Sequence, residues 1–420
     1  MKDPFLLMLA IATAITTSKG TVEIAFPPYL ASYGQPLSAI GLITSLLAVA
    51  QLVSRVPVGL AYRPERATRQ LAAALVVFGL SSIGYALAGG QLVVILAVTV
   101  LHGFAFGTCG TLGLALAIDI TGGKRAGVSM AWYTAAISLG YALGSILGGW
   151  AADAVGLPAT MAISAALPFA AVIVVLALPA VQGAPLPVER GDGIRGLLRA
   201  GAKLDGRVWL AFVTVLFINL IWDSLDTFFV IFAPTVGITL AAVGVLRALK
   251  SAAGLAIRLT GALVLQVADH RRITLAGVVI AAVSMVALPV SNAMPVLIAI
   301  FIALGLARGI VRATSAATIA ELRAEGRDVG LASGVYNAGL DIGSIAGPTV
   351  GGAIATLVGI PQMFQIVGII GLAVWLAVAL SSAPTRRAAG LARRNVIPFG
   401  ASASEDPALP VRASPQERSG

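Results

Sequence analysis

The chain has 420 residues, 58% hydrophobic and only 11% charged, with one cysteine and a formal net charge of +10. Soluble domains carry about 25% charged residues, so this composition, with a mean hydropathy of +0.95, excludes a soluble globular protein and indicates a polytopic membrane protein. The basic surplus does not mark a nucleic-acid binder, because Lys and Arg are scattered over short loops between apolar runs, and the single Cys109 excludes an intramolecular disulfide and a cysteine metal cluster.

Apolar runs of about 20 residues are membrane-spanning helix candidates. Twelve are predicted, over 5–31, 37–61, 71–88, 93–118, 127–151, 158–181, 208–233, 240–264, 273–290, 295–319, 330–355 and 362–382. The first carries Lys19 and Glu23, unlike the short uncharged core of a cleavable signal peptide. Loops after even-numbered segments hold the basic residues: Arg63, Arg66 and Arg69; Lys124 and Arg125; Arg190 to Arg207; Arg271 and Arg272; Arg323 and Arg327; Arg386 to Arg394. The alternate loops hold none, so both termini and the central loop are expected in the cytoplasm. Four regions follow: a six-helix bundle over 1–181, a cytoplasmic linker over 182–207, a second bundle over 208–382, and a disordered tail over 383–420.

The eleventh segment shows how the chain was built. Gly343, Gly347 and Gly351 recur every fourth residue and form one helical stripe that admits another helix closely, with Pro348 as an expected breaker. Gly140, Gly144 and Gly148 repeat that stripe in the fifth segment at an offset of 203 residues. The same offset pairs Gly34 with Gly237, Gly41 with Gly244, Arg55 with Arg258, Tyr133 with Tyr336 and Pro158 with Pro361. The chain reads as a tandem duplication of six helices. An even helix count makes the two copies parallel, related by an axis along the membrane normal.

Charges at membrane depth cost some kcal/mol, about 3 on insertion scales, so each requires a reason. They are Lys19 and Glu23 (segment 1), His102 (4), Asp223 and Asp226 beside Asn219 (7), Arg247, Lys250 and Arg258 (8), Arg308 and Arg312 (10), and Asp341 beside Asn337 (11). Segments 3, 6, 9 and 12 carry none, which suits lipid-facing helices. The expectation is a central polar cavity lined from both halves and most heavily charged on the C-terminal side. Lys19, Glu23, His102, Asn219, Arg247, Lys250, Arg308, Arg312 and Asn337 are its candidate substrate contacts. Asp223, Asp226 and Asp341 are candidate proton carriers, because a carboxylate moving between wet and dry surroundings can take and lose a proton. Alternatives remain: Lys19 and Glu23 have the spacing of an intrahelical pair, and Asp341 can pair with Arg308 or Arg312. Arg55 and Arg258, recurring in both halves, read as gate or scaffold residues.

With these features the chain resembles the major facilitator superfamily over essentially residues 1–382. Gly343-x3-Gly347-Pro348-x2-Gly351-Gly352 is similar to that family's glycine-rich signature, which in its fifth helix is linked to antiporters. The fifth segment keeps the glycines but has Ser145 where the proline belongs, and His102 lies near the place of an arginine found in many drug antiporters. The resemblance implies an all-α fold of two parallel six-helix bundles and secondary active transport by alternating access in the bacterial cytoplasmic membrane. Its expected partners are a small-molecule substrate, protons and the lipid bilayer, with the chain a monomer and without cofactor, metal or nucleic acid. Proton-coupled efflux of a small organic compound, anionic or zwitterionic, is one reading; proton-coupled uptake of an organic anion or amino-acid-like metabolite is the other. The chain has no Gly-x4-Gly-Lys-Ser/Thr loop, which argues against ATP, and no compact nucleophile or metal constellation of an enzyme.

Overall fold

The computed structural model describes residues 3–121, 126–178, 206–267, 270–324 and 329–381. They form twelve membrane-length helices and, among the described residues, no strand. These are α1 (Pro4–Ser32), α2 (Leu37–Leu60), α3 (Pro64–Leu87), α4 (Leu92–Ile120), α5 (Ala126–Val155), α6 (Leu157–Leu176, interrupted at Ala165), α7 (Gly206–Thr235), α8 (Leu240–Val267), α9 (His270–Ala287), α10 (Met294–Ala324), α11 (Val329–Val358) and α12 (Ile360–Ser381). The expected tail over 383–420, nearly all of the linker over 182–207, and Lys124, Arg125 and Arg327 lie outside the described residues.

Two expectations about the helices change. α3 begins at Pro64 rather than near residue 71, because Pro64 pre-sets the first helical φ and the polar residues 65–70 continue the helix past the apolar run. Pro348 does not break its segment: α11 runs unbroken from Val329 to Val358. Proline is tolerated inside such helices when neighbours re-satisfy the freed backbone groups.

The duplication is visible atom by atom. Gly34 and Gly237 (φ +73° and +81°), and Gly156 and Gly359 (φ +85° and +88°), are repeat-equivalent turns that only glycine adopts without strain. Within the first half, the stripe of Gly140, Gly144 and Gly148 seats α5 on Thr13, Thr16, Thr17 and Thr21 of α1. Gly343 and Gly347 seat α11 on Leu216 and Leu220 of α7 in the same way. Thr21 Oγ1 donates to the Gly144 carbonyl at 3.1 Å, and its equivalent Ser224 Oγ donates to the Gly347 carbonyl at 2.7 Å.

The halves meet through α2 with α11 and α5 with α8. At the face away from the termini these contacts are tight. A Cβ on Gly41 would collide with the Pro348 carbonyl, and one on Gly244 with the equivalent Ser145 carbonyl. Asp153 accepts from the backbone of Leu240 (3.2 Å) and Ala241 (2.8 Å), capping α8 from the opposite half. The repeat-equivalent Thr356 accepts from Ser38 N at 2.9 Å at the start of α2. This face is closed.

Candidate functional site

Between the halves lies a cavity of about 970 Å³. Among the described residues it is lined by α1, α2, α4 and α5 from the first half and α7, α8, α10 and α11 from the second, with none from α3, α6, α9 or α12. It reaches Gly59, Tyr62 and Asp119 at the face bearing the termini. There Tyr62 donates its hydroxyl to Asp119 Oδ2 at 2.5 Å. Burial and that carboxylate hold the Tyr62 phenol above its ordinary range.

Among the described residues, seven cationic and five carboxylate side chains line the cavity. Five of them form one chain across the halves. Lys19 pairs with Glu23 at 2.6 Å, one turn apart on α1. Arg247 bridges Glu23 (Nη2, 3.1 Å) and Asp226 (Nε, 3.2 Å), and Lys250 closes the chain on Asp226. Glu23 and Asp226 are repeat-equivalent, so Arg247 holds the two copies of one carboxylate position. The intrahelical pairing of Lys19 and Glu23 is therefore part of a larger bridge.

The remaining cations are held differently. Arg308 donates to Asn219 Oδ1 at 3.3 Å and lies 3.8 Å from the centre of the Trp222 ring, which Lys250 also approaches at 3.7 Å. Nε of Arg308, Nε of Arg312 and Nη1 of Arg247 are buried and make no hydrogen bond. No carboxylate of the described residues is within ion-pair distance of Arg308 or Arg312. Oδ2 of Asp223 is likewise buried without a hydrogen-bond partner. Asn219 also donates to the Leu340 carbonyl at 2.9 Å, and Asn337 belongs to the lining.

Two expected placements change. Asp341 pairs not with Arg308 or Arg312 but with Arg55 across the halves, at 2.8 Å. Its repeat equivalent Ser138 accepts from Arg258 at 3.3 Å, so the duplicated arginines make one duplicated contact. His102 is outside the cavity lining. It lies one turn beyond Phe106, wholly buried, 2.9 Å from Ser81 Oγ of α3 and packed on Phe78 and Tyr85. At that depth Gly103 brings α4 onto the backbone of α2, leaving no room for a ligand. Trp222 escaped the sequence reading although Asn219, Trp222, Asp223 and Asp226 share one helical face, and a tryptophan in mid-span is away from the interfacial belt where it is usual.

A family model described as Major Facilitator Superfamily matches residues 7–293 and 237–410. Among solved structures, the crystal structure of nucleoside transporter NupG is similar with a TM-score of 0.75 at 13% identity, covering 91% of this chain and 98% of that one. A bacterial homologue of the human lysosomal transporter Spinster, in an inward-facing and unoccupied conformation, reaches a TM-score of 0.74 at 13% identity, with the same coverage of 91% and 98%. At these identities the likeness is one of fold. No curated protein matches the sequence.

Proposed function

The chain belongs to the major facilitator superfamily, a multi-pass membrane transporter and not an enzyme, and from that premise we propose that it is a secondary active carrier of a small organic anion or zwitterion, moved together with a proton by alternating access. The observation that supports this is the state of Arg308 and Arg312: buried guanidinium N–H groups in a cavity, with no carboxylate paired to them. A buried guanidinium N–H without an acceptor is costly, and a guanidinium forks onto a carboxylate with two parallel hydrogen bonds. A substrate anion supplies the missing acceptors.

Of the three candidate proton carriers, Asp226 and Asp341 are held by cations, whereas Asp223 has a buried oxygen without a partner. Asp223 is the carrier in this proposal. A second negative charge beside Arg308 is best tolerated when Asp223 carries a proton, so anion and proton bind together. This favours proton-driven uptake over efflux. The glycine stripe of α5 supports efflux only by resemblance, and those glycines have a packing role against α1. The positive-inside distribution supports cytoplasmic termini, and with that orientation the closed face is external and the cavity inward-facing.

The test uses purified protein and a thermal-shift screen of small carboxylates, amino acids and cationic drugs at pH 6 and pH 8, since a ligand of the folded state raises apparent stability. Anions or zwitterions are expected to stabilise, and Arg308→Ala to abolish the effect. The stabilising anion is then added to proteoliposomes while external pH is recorded. Alkalinisation supports co-transport, acidification means exchange, and a flat trace removes proton coupling.

A further inference from the structure

The two walls of the cavity differ in chemistry more than the duplicated backbone requires. Where α8 and α10 carry Arg247, Lys250 and Arg312, the repeat-equivalent positions of α2 and α4 carry Thr44, Leu47 and Cys109, and all six line the same space. The first-half wall is completed by apolar side chains of α4 and α5, among them Phe106, Leu114 and Ile137. Its four charged residues all have protein partners. Lys19 and Glu23 pair at 2.6 Å, Arg55 reaches Asp341 at 2.8 Å, and Asp119 takes the Tyr62 hydroxyl at 2.5 Å. Among the described lining residues, the unpartnered N–H groups are on the other wall, at Arg247, Arg308 and Arg312.

A ligand that satisfies both walls is charged at one end only. A small hydrophilic anion meets the guanidiniums but leaves Leu47, Phe106, Leu114 and Ile137 against water. The volume of about 970 Å³ is in the range that drug-sized ligands fill, about 300–1,000 Å³.

We infer that the substrate is an amphipathic organic anion, seated with its anionic head on Arg308 and Arg312 and its apolar body against Leu47, Phe106, Leu114 and Ile137. This rests on the anion reading above and adds the apolar body and the orientation. The binding energy divides accordingly. The guanidiniums supply charge recognition, and the first-half wall supplies affinity that grows with apolar area.

The probes are acetate, benzoate and 2-naphthoate, with 2-naphthamide and 2-naphthylmethylamine as neutral and cationic controls, titrated onto the full chain by thermal shift and calorimetry. Affinity is expected to rise about tenfold for each added ring, the effect of burying some tens of Å² more apolar surface. Arg308→Gln and, separately, Arg312→Gln should lose naphthoate binding. Leu114→Ser with Ile137→Ser should flatten the series toward the acetate value while acetate binding is kept, with unliganded melting showing that each variant folds. Acetate and naphthoate binding equally, both dependent on Arg308, overturns the amphipathic reading and leaves the anion reading standing. Naphthamide or the amine binding as well as naphthoate, unaffected by Arg308→Gln, overturns both.

Discussion

At the scale of single residues, Arg247 shows how charge is kept at membrane depth. It touches Glu23 and Asp226, and each of those carboxylates has a second cation, Lys19 or Lys250. Removing Arg247 therefore leaves the other four charges of the bridge paired, Lys19 with Glu23 and Lys250 with Asp226. Removing Glu23 leaves Lys19, only 3% exposed, without a counter-ion beside a half-satisfied Arg247. Breaking a buried pair from one side costs several kcal/mol, less where a partner reaches solvent as Glu23 does. Glu23→Gln is expected to lower stability by about 1–3 kcal/mol and by more than Arg247→Gln; chemical or thermal unfolding checks the order. His102 packs against α3 outside the cavity lining, so His102→Gln is expected to cost about 1 kcal/mol, the worth of one buried hydrogen bond, and to leave transport rates unchanged. Apart from Asp119, at the end of α4, the charged inventory of the cavity was legible in the sequence because charge in an apolar helix has few explanations. Which way each charge turns was not. His102 and Phe106 share a helical face, and only the closure of α4 on α2 and α3 separates them. For Asp341, a candidate proton carrier, the only alternative partners offered were arginines of its own half, because helical spacing carries no information about the other half. The repeat offset held the better signal, since Arg258 with Ser138 maps onto Arg55 with Asp341.

At the scale of helices, the glycines divide into two groups with different consequences. Gly140, Gly144, Gly343 and Gly347 hold helices together within a half, while Gly41, Gly149, Gly244 and Gly352 hold the halves against each other at the closed face. The periodic stripe in the sequence announced close packing in both α5 and α11. It did not announce that Gly148 and Gly149, adjacent in sequence, serve different partners, α1 and α8. Adjacent residues on a helix point about 100° apart, so a glycine pair can serve two seams at once. Gly144→Leu is expected to drive α5 off α1, and the measure is a loss of folded monomer on size exclusion, the overpacking cost being at least about 1–3 kcal/mol. Gly352→Leu places its bulk on the Leu37 carbonyl between the halves. It should leave the monomer folded and part the closed face. A cysteine at Ala152, buried beside Asp153 in the core cluster that also holds Leu240 and Val243 of α8, in a Cys109→Ala background, should then react faster with a polar maleimide. Helix boundaries were read less well than helix faces: the polar first turn of α3 does not enter an apolar-run count, although Pro64 marks it.

For the whole molecule, the duplicated architecture makes the conformational switch a competition between two sets of inter-half contacts. The closed face is held by cross-caps in which each half covers the first turn of a helix from the other: Asp153 on α8 and Thr356 on α2. The two caps sit at equivalent positions but differ in charge. An ionised carboxylate at a helix N-terminus gains from the aligned peptide dipoles as well as from its hydrogen bonds, and a hydroxyl gains only the latter. The closed face is thus latched more strongly on the α5–α8 side. Loss of a cap is worth about 0.5–2 kcal/mol, and because the hydrogen bonds of the Asp153 side chain among the described residues all run across the halves, its loss falls on the equilibrium between closed and parted arrangements rather than on folding. One to two kcal/mol is roughly a five- to thirtyfold change in that equilibrium. Asp153→Ala is therefore expected to speed maleimide labelling of the Ala152→Cys reporter by about that factor, with little change in melting temperature. Thr356→Ala, read with the same reporter, should act in the same direction and less. A labelling rate that moves only when the melting temperature falls would mean that Asp153 supports the fold and that the switch is held elsewhere, in the glycine contacts of α2 with α11 and α5 with α8.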